Sequence, residues 1–225
     1  MTRSVATGRE AAVLSRLGKL PTAAVSDALD REGIPGALEG LVPLSNEFRV
    51  AGPAFTVQYA PADSAGGTVG DFLDEVPPGA VIVIDNDGRQ DVTVWGGIMT
   101  EIASARGVAG TVINGVCRDV SASLSHRYPI FSRGRFMRTG KDRVRLVSAG
   151  GPLTISGIDI GPGVIMCADA DGVVAVPEAS AVRIAEAAEQ IERVESQILA
   201  AVRAGSTLRQ ARQRFGYHNL QRRQA

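Results

Sequence analysis

Arg118 and Asp119 stand side by side just past an apolar, strand-like run, TVINGVC. A guanidinium holds a carboxylate through two parallel hydrogen bonds. An aspartate offers hard oxygen to a divalent cation, which usually keeps several waters and takes one or two protein carboxylates. A small 2-oxo acid needs both kinds of partner. Upstream, Gly96 and Gly97 open a helix-like segment, GIMTEIASARG, whose first free amides belong to Ile98, Met99 and Thr100. Unpaired N–H groups at a helix start attract an anion, and glycine lets backbone approach a ligand closely. Plainer readings stand beside these: the glycines form only a tight strand-to-helix turn, and the Arg-Asp pair is a surface or structural salt bridge.

For the guanidinium and the amides to meet, the elements that carry them must lie side by side. VIVID is apolar without alternation, as in a strand buried on both faces, and GIMTEIASARG separates it from TVINGV. A strand–helix–strand unit favours a parallel pair, and ligands in open α/β sheets bind outside the carboxyl ends of the strands. FRVAGPAFTVQYA reads as another strand, and residues 142–177 as several short strands joined by Gly-rich turns. A first helix is expected over residues 8–20. A second lies in PTAAVSDALDREG, capped by Thr22 and stopped at Gly33.

From Pro177 to Gly205 the residues Ile184, Ile191, Val194, Ile198 and Val202 form one apolar stripe at helical spacing, with Glu186, Glu189, Glu192 and Arg193 turned away. Glu195 falls inside the apolar arc, either at the edge of the packed face or directed at a partner subunit's site. The tail STLRQARQRFGYHNLQRRQA is basic and reads as a frayed end or docking arm.

Of 225 residues, Lys plus Arg number 24 and Asp plus Glu 24, a balance that gives no reason to expect nucleic acid or an anionic membrane as partner. No apolar run approaches the ~20 residues of a membrane-spanning helix, and MTRSVATGREAAV lacks an apolar signal region, so a cytoplasmic location is expected. Cys117 and Cys167 read as small buried thiols. Cys117 is a poor candidate nucleophile because the nearest base, His126, has nothing to orient it. His126 reads as a solvated loop residue. Arg133, Arg135, Arg138, Lys141 and Arg143 form a basic run of loop and strand edge that could bind a second carboxylate or a phosphate. Asp169 and Asp171 serve the DADG turn.

SDALD (residues 26–30), VWGG ending at Gly97, Arg118-Asp119 after twenty intervening residues, and DADGVVAVP (residues 169–177) occur in that order. On these residues the chain resembles the family that includes the RraA proteins, regulators of ribonuclease activity, and the metal-dependent 4-hydroxy-4-methyl-2-oxoglutarate (HMG/CHA) aldolases. The similarity covers roughly residues 20–205. It implies an α/β fold: a single RraA-like β/β/α domain with a central mixed sheet flanked by helices, a long C-terminal helix, and a basic tail over 206–225. It also implies a homotrimer or hexamer with clefts between subunits.

By the same resemblance Arg118 binds the substrate carboxylate and C2 oxygen, Gly96, Gly97, Ile98 and Met99 form the carboxylate-binding turn, and Asp119 ligates Mg²⁺ or Mn²⁺. The aldolases carry aspartate where this chain has Gly97, and a related branch carries an acid where this chain has Ala122. Glu195, reaching across a subunit interface, is then the expected remaining acid, with Glu101 a weaker substitute. The implied activity is a carbon–carbon lyase, aldolase or oxaloacetate decarboxylase, acting on small 2-oxo acids. The alternatives are a non-catalytic regulator that binds a protein such as a ribonuclease, and a family enzyme with altered chemistry. Nothing resembles an S-adenosylmethionine loop.

Overall fold

The structure, a computed structural model, describes residues 8–217 and 220. In chain order the elements are α1 (Gly8–Leu17), α2 (Thr22–Glu32), β1 (Ala37–Leu38), β2 (Val42–Pro43), β3 (Val50–Pro61), a 3₁₀ turn (Asp71–Glu75), β4 (Val81–Asp85), α3 (Gly97–Ala105), β5 (Gly110–Cys117) and α4 (Val120–Ser125). There follow β6 (Ile130–Arg135), β7 (Val144–Ala149), β8 (Leu153–Ile155), β9 (Ile158–Ile160), β10 (Val164–Asp169), β11 (Gly172–Pro177), a 3₁₀ turn (Glu178–Ser180), α5 (Ala181–Arg203) and α6 (Leu208–Arg214).

One mixed sheet carries the strands in the order β1-β11-β10-β3-β4-β5-β6-β2, with β7 also on β3 and β8–β9 forming a separate hairpin. The stretch β3–β4–β5–β6 is parallel, which bears out the strand–helix–strand reading. The end strands β1 and β2 are separated in the chain only by residues 39–41, so the sheet must curl until its two ends meet.

That curl gives the central strands two buried faces. Val81, Val83, Val112, Phe131, Met166 and Val173 point inward, where Leu153, Ile155 and Ile160 of the β8–β9 hairpin join them. Ile82, Ile84 and Ile113 face outward against α3 and Trp95. Cys167, Val174 and Val176 face outward against α1, α2 and α5. VIVID is therefore apolar throughout because one half of it lines the inside of the curl and the other half seats a helix.

Several sequence expectations need adjustment. The first helix stops at Leu17, not at residue 20, as Gly18 closes it on the Leu14 carbonyl. Gly33 ends α2 in the left-handed conformation (φ 69°), as expected. Thr22 is not its cap: Pro21 holds that position, and the Thr22 amide and hydroxyl both donate to the buried Asp169 carboxylate. Asp169 also takes the Asp171 amide of its own turn at 3.0 Å and Arg49 at 3.3 Å. It thus joins the β10–β11 turn to the start of α2. Asp169→Ala strands the Thr22 donors and is expected to lower the unfolding free energy by about 2 kcal/mol, read as a fall in the urea midpoint.

The basic tail is neither frayed nor extended over its described part. A reciprocal Thr207–Gln210 capping box starts α6, Ala211 is buried, and Leu220 joins the core formed by α1, α2 and α5. Residues 218–219 and 221–225 lie outside the described residues. Among those described, no helix is long and apolar enough to cross a membrane.

Candidate active site

Strand β5 ends by delivering Arg118 and Asp119 to the carboxyl edge of the sheet, beside the turn that opens α3. The Arg118 amide donates to the Trp95 carbonyl at 3.0 Å and so fastens the strand end to the Gly-Gly turn. Asp119 sits in the left-handed region, φ 55°, a conformation few non-glycine residues adopt. From there its Oδ2 accepts the Gly97 amide at 2.8 Å and lies 3.6 Å from Arg118 Nε. A carboxylate supplied from another strand thus sits at the N-terminus of α3, where the helix dipole favours negative charge.

The two glycines have different reasons to be there. A Cβ on Gly96 would lie 3.0 Å from Asp119 Oδ2 and 3.2 Å from Arg118 Nε, so any side chain would press on the pair. A Cβ on Gly97 would make only ordinary contacts, 3.4 Å to Asp119 and 3.5 Å to Ala122 Cβ. The amides of Ile98 and Met99 have no intrahelical acceptor. That of Thr100, expected to be free, donates to the Gly96 carbonyl at 3.1 Å instead. Within the first turn of α3 this leaves the Ile98 and Met99 amides to serve a ligand. The Ile98 side chain is 78% exposed at the rim, and that of Met99 is buried in the core.

Trp95 anchors this turn, a role that sequence reasoning missed. It is 1% exposed and stacks on Tyr128 with ring centroids 5.9 Å apart. Its Nε1 donates to Thr100 Oγ1 at 2.9 Å. The only available signal was the chain's single tryptophan directly before the two glycines.

Other candidates stand apart from the pair. Cys117 is fully buried and burial pushes its thiol above the ordinary range, so it is unsuited to act as a nucleophile. His126 is turned back on α4, with Nδ1 2.9 Å from the Ala122 carbonyl. Arg133, expected in a solvated run, is half-buried and donates to Asn114 Oδ1, which with Asp85 closes a polar chain across the ends of β4, β5 and β6. Glu101 is exposed on α3. Glu195 is partly buried on α5, and that burial, followed by the charges of Glu192 and Asp27, pushes its carboxyl up. Among the described residues no hydrogen bond or ion pair joins it to Arg118 or Asp119, so one chain does not bring these three together.

Asp119 is therefore the carboxylate that meets Arg118 and the start of α3. Among the described residues no group of three or more His, Cys, Asp or Glu is placed to hold a metal ion. The contacts above engage only Oδ2 of Asp119, and a magnesium-sized cation commonly takes one or two protein carboxylates with water and substrate completing its shell. The donor set fits such an ion at one point. The other ligands must come from water, substrate or another chain.

A profile of the RraA-like family, described as Aldolase/RraA, matches residues 22–175, which include the glycine turn and the Arg-Asp pair. Protein DlpA of Legionella pneumophila is 39% identical over 208 residues, 91% of this chain and 34% of that protein, so the chain spans about a third of that relative's length. A Halalkalibacterium halodurans protein assigned the name 4-hydroxy-4-methyl-2-oxoglutarate aldolase is 34% identical over 165 residues, 73% of this chain and 76% of the other. Among solved structures, an uncharacterized protein from Pseudomonas syringae pv. tomato matches with a TM-score of 0.84 at 46% identity, covering 90% of this chain and 97% of that one. Streptomyces coelicolor RraAS2, described as an unusual member of the RNase ES inhibitor RraA protein family, matches with a TM-score of 0.76 at 26% identity, covering 87% and 98%.

Proposed function

Because the chain belongs to the RraA-like (Aldolase/RraA) family, we propose that it is a lyase that cleaves small 2-oxo acids through a pyruvate-type enolate. The observation that carries this reading is the meeting of the Arg118 guanidinium, the Asp119 carboxylate and the opening amides of α3 at one edge of the parallel strands. The Ile98 and Met99 amides and one edge of Arg118 hold the substrate carboxylate. Another Arg118 N–H reaches the C2 oxygen and stabilises the charge that gathers there as the C3–C4 bond breaks. A divalent cation, Mg²⁺ or Mn²⁺ held through Asp119, would supply Lewis acidity at that oxygen. In a retro-aldol step a base must also take the 4-hydroxyl proton. Loss of CO₂ from oxaloacetate reaches the same enolate without one.

Glu195 of a neighbouring copy is the proposed base, acting through a water, in a homotrimer or a dimer of trimers with sites between subunits. Two features support this. The exposed Ile98 and Leu124 leave apolar surface beside the site, and the Glu195 carboxylate is disfavoured by burial and then by the charges of Glu192 and Asp27, which a cationic neighbour would offset. If so, in the retro-aldol reaction, which needs the base, Arg118→Ala and Glu195→Ala are each expected to be strongly impaired alone, yet co-expressed in equal amounts they are expected to recover about a quarter of wild-type activity. In a head-to-tail ring that is the fraction of interfaces receiving both intact residues. No recovery in verified mixed oligomers would remove Glu195 from the site.

The reading is tested by pyruvate release from oxaloacetate and from 4-hydroxy-4-methyl-2-oxoglutarate, with EDTA or with added Mn²⁺, after subtraction of the metal-only background. Turnover lost in EDTA and regained with Mn²⁺ is the expected result. A folded protein that releases no pyruvate from either acid overturns it. That result would turn attention to a non-catalytic role like the one in the RraAS2 description, where binding of a protein partner should ignore EDTA.

A further inference from the structure

The two oxygens of Asp119 are not equivalent. Oδ2 is tied to the Gly97 amide at 2.8 Å and faces Arg118 Nε at 3.6 Å, while Oδ1 takes no part in either contact. The positions that could add a second carboxylate beside it hold Gly97 and Ala122, whose Cβ atom would stand 3.5 Å from one built on Gly97. The described residues supply no cluster of three ligands anywhere. A divalent ion at Asp119 alone would thus exchange one water for one oxygen while meeting the positive charge of Arg118 close by. Single-carboxylate contact in water is weak compensation for that repulsion.

A 2-oxo acid alters both terms. Its carboxylate neutralises Arg118, and its carboxylate and oxo oxygens offer the ion two more hard ligands in a chelate. From these contacts we propose that this site takes its divalent ion and its 2-oxo acid as a coupled pair, each binding weakly until the other is present. The proposal rests on the lyase reading above, whose small oxo acid it presupposes. It adds that retention of the ion depends on the substrate, because neither position 97 nor position 122 supplies a second carboxylate beside Asp119. Linkage then fixes a number in advance: the factor by which the acid tightens the ion must equal the factor by which the ion tightens the acid.

The test uses Mn²⁺ and oxalate, an unreactive planar stand-in for the enolate. Mn²⁺ binding to the intact protein is followed by electron paramagnetic resonance with and without oxalate, and oxalate binding by calorimetry with and without Mn²⁺, both corrected for the complex formed in solution. Both affinities should rise by the same factor, at least about tenfold. Asp119→Asn should abolish the coupling while oxalate still binds through Arg118. Gly97→Asp places a second carboxylate where the space is ordinary and at a helix start that favours it, so it should tighten Mn²⁺ in the absence of oxalate and shrink the coupling. Mn²⁺ bound by the wild type as tightly alone as with oxalate overturns the coupling and leaves the lyase reading standing. A folded protein that binds oxalate but takes up no Mn²⁺, whether or not oxalate is present, overturns the coupling and the metal dependence together. Failure of the folded protein to bind oxalate at all overturns the lyase reading itself.

Discussion

Arg118→Ala is expected to lower kcat/KM for pyruvate formation by about 10²–10³ or more, with little change in stability. The two halves of that expectation come from different parts of the structure. Arg118's side chain is 39% exposed, and its ion pair with Asp119 is long at 3.6 Å. Exposed pairs of this kind contribute about 0–1 kcal/mol, so losing it leaves the fold intact. On the proposed lyase reading, catalysis loses a bidentate carboxylate anchor and a donor aimed at developing charge, and removing one such donor costs about 10²–10³ in rate. Arg118→Lys should recover only a small part, because an ammonium keeps the charge and discards the fork. Steady-state kinetics on both oxo acids, paired with urea unfolding of each variant, checks the expectation. Wild-type turnover by a folded Arg118→Ala protein would sink the assignment of this edge as the active site.

The largest effect on stability is expected from Trp95→Ala, about 3–5 kcal/mol. The indole is buried against Ile82, Ile84, Ile113 and Cys117 in one contiguous core, stacks on Tyr128, and bonds Thr100 through Nε1. Removing it leaves a large void and takes one of two partners from the Thr100 hydroxyl, which keeps its 3.3 Å bond to the Gly96 carbonyl. Trp95→Phe keeps a ring on Tyr128 and forfeits the hydrogen bond, a loss of about 1 kcal/mol. Because the Trp95 carbonyl also receives the Arg118 amide, both variants should lose more activity than their unfolded fraction explains. Urea midpoints that match the wild type would show that the turn before Gly96 is held by something other than this side chain.

Much of this arrangement was legible in the chain, and the reason is local. β-Branched runs such as VIVID and TVINGV, with one short helix-like segment between them, define a parallel pair whose carboxyl ends bring Gly97 and Arg118-Asp119 together although twenty residues intervene. What periodicity hides is the pairing of residues remote in sequence. Nothing near Thr22 announces that its hydroxyl will meet Asp169, 147 positions away. The left-handed backbone of Asp119 goes with its bond to the Gly97 amide, 22 positions away, and nothing next to it in the chain announces that contact. The tail reads as either a frayed end or a docking arm because its sequence is dominated by charge; among its described residues Ala211 and Leu220 are the buried ones. The odd place of Glu195 on its helix was visible, and the structure accounts for half of it: the carboxyl is partly buried beside Glu192 and Asp27.

The curl of the sheet also dictates when the protein can fold during its synthesis. β1 pairs with β11, Ala37 opposite Val174 and Leu38 opposite Val173. α1 is clamped to α5 by Arg16 and Glu189 through two hydrogen bonds, at 2.8 and 2.9 Å. Apart from contacts with β3 and Arg49, the first forty or so residues therefore wait for most of their partners until the last third of the chain exists. At ordinary elongation rates that interval is on the order of ten seconds. Throughout it Val13, Leu17, Val25 and Leu29, all destined for the core, stay in water or on a chaperone, and an emerging chain cut short before β10 leaves its own beginning without a place to go.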